Sequence, residues 1–417
     1  MRRLTVYIQI CGRDLLCGEI RGMSFEDACF SYLPSYLDLE EAAALSMSLP
    51  LQKEPFDPER TGSFFSALLP SGAFRKDLAG LLRCRKEDYL SMLSVLGSDL
   101  RGAVKILEEE FPLPEALYED IDESDLQRLA GGNGKDMASL LIRSSSALPG
   151  EHPSCCLMRR EGEGVWQLPR GEMTGNRRVL QSWPLYERGL LNAAICMGAA
   201  QRLGIPAAAA KLLGKGEDHR ILLAVNRSDR AVSGEEGRIT KRHQEDMGQA
   251  LGIGPEREKD YEGYMAAMFR FLRERALRPI PDMLSLWDRI VFNFLAGNLE
   301  GGVSSFALNY SSDLSALSLA PAELISCTAL YDPVSGTLPF HIDGCYSPDS
   351  LTGRSFERMA PECGIGRKMG RERFDRLAAG FEKAIYESAE ELEIQGFEDA
   401  LILAGQILEA GGIRNLR

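Results

Sequence analysis

Histidine is scarce in this sequence, with four among 417 residues, and His152, His219, His243 and His341 lack any metal-ligand spacing. The ten cysteines are no better arranged. None stands two residues from another, and Cys155 and Cys156 are simply adjacent. Zinc ribbons and fingers are excluded by this pattern, and reduced, buried or inert thiols in a reducing compartment are expected. Apolar runs of the roughly 18 to 20 residues needed to span a bilayer are also missing. The alternating segment Leu4–Ile10 behind Met1-Arg2-Arg3 reads as a strand and is too short for a signal sequence. No repeat recurs at a fixed period. Positive charge is in deficit, with 48 Lys and Arg against 61 Asp and Glu, for a net charge of -13. That balance argues against a broad nucleic-acid surface and leaves room for a local basic patch. A soluble, cytoplasmic protein that does not act directly on nucleic acid or membranes is expected.

A hydrophobic fraction of 44% and a charged fraction of 26% are those of an ordinary globular chain, long enough for two or three cores. Residues 1–110 read as a small α+β unit, with a strand at 4–10 and helical patterns around 40–46, 63–69 and 76–83. The acidic stretch 111–137 reads as a solvated linker, and Gly131-Gly132-Asn133-Gly134 within it as a loop. Residues 138–232 are β-rich with one clear helix. Leu190, Leu191, Ala194, Ile195, Met197, Ala200 and Leu203 recur at helical spacing up to Gly204. Residues 233–417 turn helical, with a core helix around Trp287, Ile290, Val291, Phe294 and Leu295 and a last helical region over 371–410.

Several strings in order resemble the HipA family, the serine/threonine kinase toxins of bacterial toxin–antitoxin modules. They include Phe30-Ser31-Tyr32, Leu45-Ser46-Met47-Ser48-Leu49-Pro50, Leu68-Leu69-Pro70-Ser71-Gly72 and Leu96-Gly97-Ser98-Asp99-Leu100-Arg101-Gly102. Further on come Leu203-Gly204-Ile205-Pro206, His243-Gln244-Glu245-Asp246-Met247 and Phe292-Asn293-Phe294-Leu295-Ala296-Gly297-Asn298. The resemblance covers nearly the whole chain. It implies an α+β, bilobal protein-kinase-like fold, with a β-rich N-lobe, an extra N-terminal subdomain and a mainly helical C-lobe.

The resemblance also implies where phosphoryl transfer should occur, and there the residues depart from it. The family's phosphate loop, Ser-x-Ala-Gly-Ala-Gln-x-Lys, aligns with Ala147-Leu148-Pro149-Gly150-Glu151-His152-Pro153-Ser154. Gly150 is kept, Ser154 replaces the lysine, and the autophosphorylated serine falls on Ala147, just after Ser144-Ser145-Ser146. The nucleotide-gripping lysine becomes Gln181, and the glutamate that should orient it becomes Ala193. The hinge is Val225-Asn226-Arg227-Ser228-Asp229-Arg230, in which Asn226 and Ser228 replace Glu and Phe. In the catalytic loop Glu300 stands at the base position and Ser305 at the metal-binding asparagine. Glu323 aligns with the metal-binding aspartate, with Asp332 as a competing choice. The charged residues Arg177, Arg178, Lys211 and Lys215 read as a solvated face. Gly364-Ile365-Gly366 reads as a turn into the last helices rather than a nucleotide loop.

Kinase chemistry consists mostly of positioning and charge neutralisation. Gln181 and Ser154 donate hydrogen bonds but bring no charge, and Glu300 and Glu323 are each a methylene longer than aspartate. Two independent defects of roughly 2 to 4 kcal/mol would already slow transfer about a thousandfold. The expectation is therefore a pseudokinase or strongly impaired kinase that binds an antitoxin-like DNA-binding protein or a related kinase. No cofactor or metal is expected; if activity is retained, they are ATP and Mg, with Glu300 and Glu323 as the metal ligands. The alternatives are an active serine/threonine kinase directed at a translation component, and a nucleotide or small-ligand sensor at the positions of Gly150, Ser154, Gln181, Val225 and Asn226.

Overall fold

The computed structural model describes residues 1–108, 113–160, 164–182, 186–214, 220–233, 238–254, 263–331 and 336–416, with backbone alone at 233 and 238. They form two compact units of mixed helix and sheet. One comprises Met1–Gln181, Ala224–Pro255 and Leu308–Ala316, and the other Ser182–Leu223, Glu256–Ala307 and Leu317–Arg417. No helix among the described residues is long and apolar enough to cross a membrane.

The chain begins as an antiparallel hairpin of β1 (Arg2–Ile10) and β2 (Arg13–Gly22). Its two-residue turn, Cys11-Gly12, has φ of 48° and 78°, the left-handed geometry that suits the strands' right-handed twist. β3 (Cys29–Tyr32) extends the sheet beside β2. Helices α1 (Pro34–Leu37), α2 (Pro58–Ser66), α3 (Gly72–Leu82) and α4 (Tyr89–Leu96) follow. β4 (Val104–Leu107) then returns to close the order β3-β2-β1-β4. Phe30 packs its ring against Tyr32, Phe56 and Phe65 at centroid distances of 4.9 to 5.9 Å and anchors this part of the core.

The helix expected at 40–46 does not form. Glu40-Glu41-Ala42-Ala43-Ala44 has strong helix propensity, but two tyrosines capture its backbone. The Tyr36 hydroxyl donates to the Ala43 carbonyl and accepts from its N–H, and the Leu45 N–H donates to the Tyr32 hydroxyl.

The described part of the acidic stretch is structured. β5 (Leu117–Ile121) precedes α5 (Glu123–Ala130) and α6 (Gly134–Ser144). Asp122 and Asn133 close capping boxes at the starts of α5 and α6, so the acids read as solvating are in part helix caps. α6 is also a helix that the β-rich reading missed. β6 (Ser154–Leu157), β7 (Trp166–Arg170) and β8 (Arg177–Gln181) come next, with β5 paired to β7 and β6 to β8.

The second unit opens with α7 (Gly189–Arg202), whose boundaries match the periodicity. β9 (Ala210–Gly214) leads to β10 (Ile221–Asn226), which carries the chain back into the first unit. There β11 (Arg230–Ser233) and β12 (Arg238–Lys241) form a hairpin, followed by β13 (Gln244–Asp246) and α8 (Met247–Leu251). α9 (Tyr264–Arg275) and α10 (Pro279–Ala296) belong to the second unit. α10 has Pro in its first turn and ends at Gly297, whose φ of +71° no β-branched residue tolerates. β14 (Ala307–Tyr310), β15 (Leu317–Leu319), α11 (Gly353–Met359), α12 (Arg367–Ile394) and α13 (Ala400–Ala410) complete the chain. Trp287 meets Phe269 and Phe356 edge-on at the centre of the helical core. Asp288 of α10 is clamped by Arg373 and Arg376 of α12 at 2.6 and 2.7 Å.

Two buried polar networks hold the first unit together. Asp99 pairs with Arg230 at 2.6 Å and Arg227 at 3.1 Å, and Asp229 pairs with both arginines at 2.8 Å. Lys241 lies 3.4 Å from Asp99. The surplus positive charge is solvated by carbonyls: Arg227 and Arg230 both donate to Leu100, Arg230 also to Gly102, and Lys241 to Ser98. Opposing the upward pull of burial, the arginines bring Asp229 down to about 2 and hold Asp99 well below the usual carboxylate range. The second network centres on Glu245, which accepts from Ser46, from the Met47 N–H and from the Tyr310 hydroxyl. Arg101 pairs instead with Asp246 at 3.1 Å. Burial pushes the Glu245 carboxyl up to about 7, against its three hydrogen bonds.

Candidate functional site

In the first unit, Gly150 and Ser154 fall at the start of β6, where a phosphate loop is expected. Gly150 has φ of +118°, and its carbonyl accepts from the Ser71 N–H at 3.0 Å. A Cβ there would lie 2.9 Å from a guanidinium nitrogen of Arg178. The Nε of Arg178 donates to the Ser154 hydroxyl at 3.2 Å. Arg178 is therefore not the solvated strand residue the sequence suggested: it reaches back across β6 to the loop. Burial draws neighbouring His152 down to about 4, and the Arg178 charge adds to the effect. Lys211 is exposed as expected, and Lys215 lies outside the described residues.

The three serines ahead of Ala147 are closed off. Ser144, Ser145 and Ser146 are all buried, and Ser144 and Ser146 hydrogen-bond to each other at 2.7 Å. The Ala147 N–H donates to the Asp99 carbonyl. This segment is a strut of the first unit, with no hydroxyl presented to solvent.

Gln181 ends β8 and is buried. Its backbone N–H donates to the Pro153 carbonyl at 2.9 Å, and its side-chain amide donates to the Leu129 carbonyl at 2.6 Å. Its Oε1 has no partner among the described residues. Val225 is buried in β10, and Asn226, the strand's last residue, is exposed.

The second unit holds the remaining positions. Ala193 is a buried residue of α7. Beside it, Asn192 donates to the Cys327 carbonyl at 2.9 Å and accepts from the Cys327 N–H at 2.8 Å, a two-bond clamp. After Gly297 the chain is fixed by hydrogen bonds that need no ligand. Leu299 N–H donates to the Thr328 hydroxyl at 2.9 Å, and the Asn298 amide donates to Asn293 at 3.2 Å. Glu300 is exposed, and its carboxylate accepts from the Tyr186 hydroxyl at 2.8 Å. Ser305 ends a short 3-10 turn and donates weakly to the Glu300 carbonyl at 3.4 Å. Those two positions come together, but Ser305 meets the backbone of Glu300 and not its carboxylate.

Glu323 is half-buried just after Ala322, whose N–H donates to the Pro206 carbonyl at 2.9 Å. The link from Ser305 toward Glu323 is Arg289, which sequence reasoning did not single out. From α10 its guanidinium donates to the carbonyls of Ser305 at 3.0 Å and Ala320 at 2.9 Å, and lies 4.8 Å from the Phe306 ring centre. Burial pulls Arg289 down to about 10, against the opposing pull of the Glu323 charge. Its only sequence signal is a cation inside an apolar helix stripe. Asp332 lies outside the described residues. Among the described residues no three His, Cys, Asp or Glu side chains gather closely enough to share a metal ion.

Comparison with known proteins identifies the family. The HipA N-terminal domain matches residues 8–107 and the HipA-like C-terminal domain matches residues 184–385. A putative kinase of Sinorhizobium fredii is 27% identical over 377 residues, 86% of each chain. The serine/threonine-protein kinase toxin HipA of Shewanella oneidensis is 23% identical over 401 residues, covering 92% of this chain and 89% of the toxin. The solved complex of Shewanella oneidensis HipA with HipB and operator DNA contains a chain that superposes with a TM-score of 0.78 at 20% identity, over 99% of this chain and 97% of that one. At that identity the likeness establishes the α+β kinase-like fold.

Proposed function

Because the chain belongs to the HipA family, we propose that it has kept the kinase scaffold, has lost efficient phosphoryl transfer, and works in the cytoplasm by holding a protein partner. The observation that carries this reading is Gln181. At the position where the family places a phosphate-gripping lysine, a buried neutral amide is bonded to the chain's own backbone. A lysine there would need a counter-carboxylate, and Ala193 supplies none. The Asp99 and Glu245 networks, by contrast, are complete, and they are built from the strings that carry the family resemblance. The scaffold has been kept and the charges of transfer have not.

A partner resembling an antitoxin is the natural candidate, since the Shewanella toxin was solved with HipB and operator DNA. If magnesium binds in the second unit, Glu300 and Glu323 would be its carboxylate ligands. Incubation with radiolabelled ATP and magnesium tests the reading. No label should appear on the protein or on added acceptor. Incorporation abolished by Glu300→Ala would establish an active kinase instead.

Arg178 favours a second reading. A guanidinium beside Gly150 and Ser154 is suited to an anion such as a nucleotide phosphate, without any transfer following. Saturable thermal stabilisation by ATP without magnesium, lost in Arg178→Ala, is its signature.

A further inference from the structure

Both ends of α12 carry charge that opposes the helix's own dipole. Its first turn begins Arg367-Lys368 with no acid, and its last turn contains Glu390, Glu391 and Glu393 with no base. Cations at an N-terminus and anions at a C-terminus each disfavour the helix. Neither end is arranged for the helix's own stability.

At the C-terminal end, Glu390, Glu393, Ile394 and Glu398 line a shallow, open groove. Ile394 is 87% exposed, with Ile402 nearby in sequence at 59%. The neighbouring cations are engaged elsewhere, Arg202 with Glu391 and Arg188 with Asp399. Among the described residues the three groove glutamates have no cation within 4 Å. This groove lies beyond residue 385, where the match to the family's C-terminal domain ends.

At the other end, the close of α9, the first turn of α10 and the turn into α12 converge. A Cβ on Gly364 would sit 3.3 Å from both Arg273 and Met283. This corner carries exposed Arg270, Arg273, Arg275 and Arg278, with Arg367 following in α12. None of these arginines has an acidic partner within 4 Å among the described residues, and the acids interspersed with them are Glu274 and Glu362. Leu277 and Ile280, 68% and 70% exposed, stand among the arginines. In a chain of net charge -13 this is a concentrated basic and apolar surface.

We propose that the chain associates with a second copy of itself, head to tail, the basic corner of one copy seating in the acidic groove of the next. Opposite charges ring an exposed aliphatic centre on both surfaces, the pattern of an apolar interface core with a polar rim. A helix of 28 residues spans about 42 Å, so the two surfaces stay apart within one chain and meet only between copies. Dipoles aligned end to end add to the attraction. A contact between unlike surfaces gives rings or open chains rather than a two-fold dimer. Leucine and isoleucine at the centre favour protein over nucleic acid as the occupant.

Light scattering on the full chain tests this. Mass above the monomer is expected at about 0.1 M salt and a monomer at about 1 M, where the screening length falls from roughly 10 to 3 Å. A Glu390→Lys/Glu393→Lys/Glu398→Lys variant and an Arg273→Glu/Arg275→Glu/Arg278→Glu variant should each be monomeric. Mixed, each offers the other its complement, and association should return. Thermal melts establish that both fold. If one does not, Ile394→Ser must weaken wild-type association about tenfold or more. A wild-type monomer at low salt overturns the proposal, as does a mixture that stays apart. Duplex DNA captured by the arginines of a chain that remains monomeric also overturns it.

Discussion

The side-chain amide of Gln181 donates to the backbone carbonyl of Leu129 at 2.6 Å, so the residue at the lysine position is committed to the protein's own frame. Gln181→Lys should therefore not restore a kinase. It would bury an ammonium opposite a carbonyl, with no carboxylate at position 193. Chemical denaturation should show a loss of about 3 kcal/mol or more, with no phosphoryl transfer gained.

Removing one member of the buried charge network should be costly. Asp99→Asn leaves Arg227 and Arg230 with Asp229 as their carboxylate partner and takes the buried partner from Lys241. A loss of about 3 to 5 kcal/mol is expected in a urea melt. Glu119→Gln, which breaks half-exposed pairs with Arg143 and Arg170, should cost less, about 1 kcal/mol.

Stability should depend on pH through Glu245. Its folded value is raised to about 7, above that of an unfolded glutamate. Between about 4.5 and 7 the native state holds a proton that the unfolded chain has released. The contribution is complete below that window and is lost as pH rises through it, by roughly 3 kcal/mol. Glu245→Gln should flatten this slope. Asp229 acts in the opposite sense: its contribution is present above about 4 and is lost as pH falls toward 2. Melting temperatures from pH 2 to 8 separate the two.

Arg289→Met should leave the Ser305 and Ala320 carbonyls without their donor. Faster amide exchange is expected over 299–306 and 317–323, with about 2 to 3 kcal/mol of stability lost.

Elements with a long apolar stripe were legible from sequence. Trp287, Ile290, Val291 and Phe294 marked α10, and Leu377, Phe381 and Ile385 marked α12, because periodicity follows directly from burial. The segment 40–46 was not legible: Tyr32 and Tyr36, packed elsewhere, decide the hydrogen bonds of an alanine-rich string. The positions of the site could be found by resemblance, but their surroundings could not. Arg178 looks like any charged strand residue until β6 is laid beside β8 and Ser154 comes within reach. Arg227 and Asp99 are 128 residues apart, and neither residue type announces the other.

The turn of the first hairpin is pinned by a hydrogen bond from the Cys11 N–H to the Ser312 carbonyl, and Glu245 waits on Tyr310 in the same way. On the ribosome, the opening strands emerge about 300 residues before these closing contacts exist, a delay of roughly 15 to 60 s at usual translation speeds. Through that interval the nascent N-terminus presents unfinished polar clefts to whatever chaperone is at hand, and a fragment cut short of residue 310 never closes them.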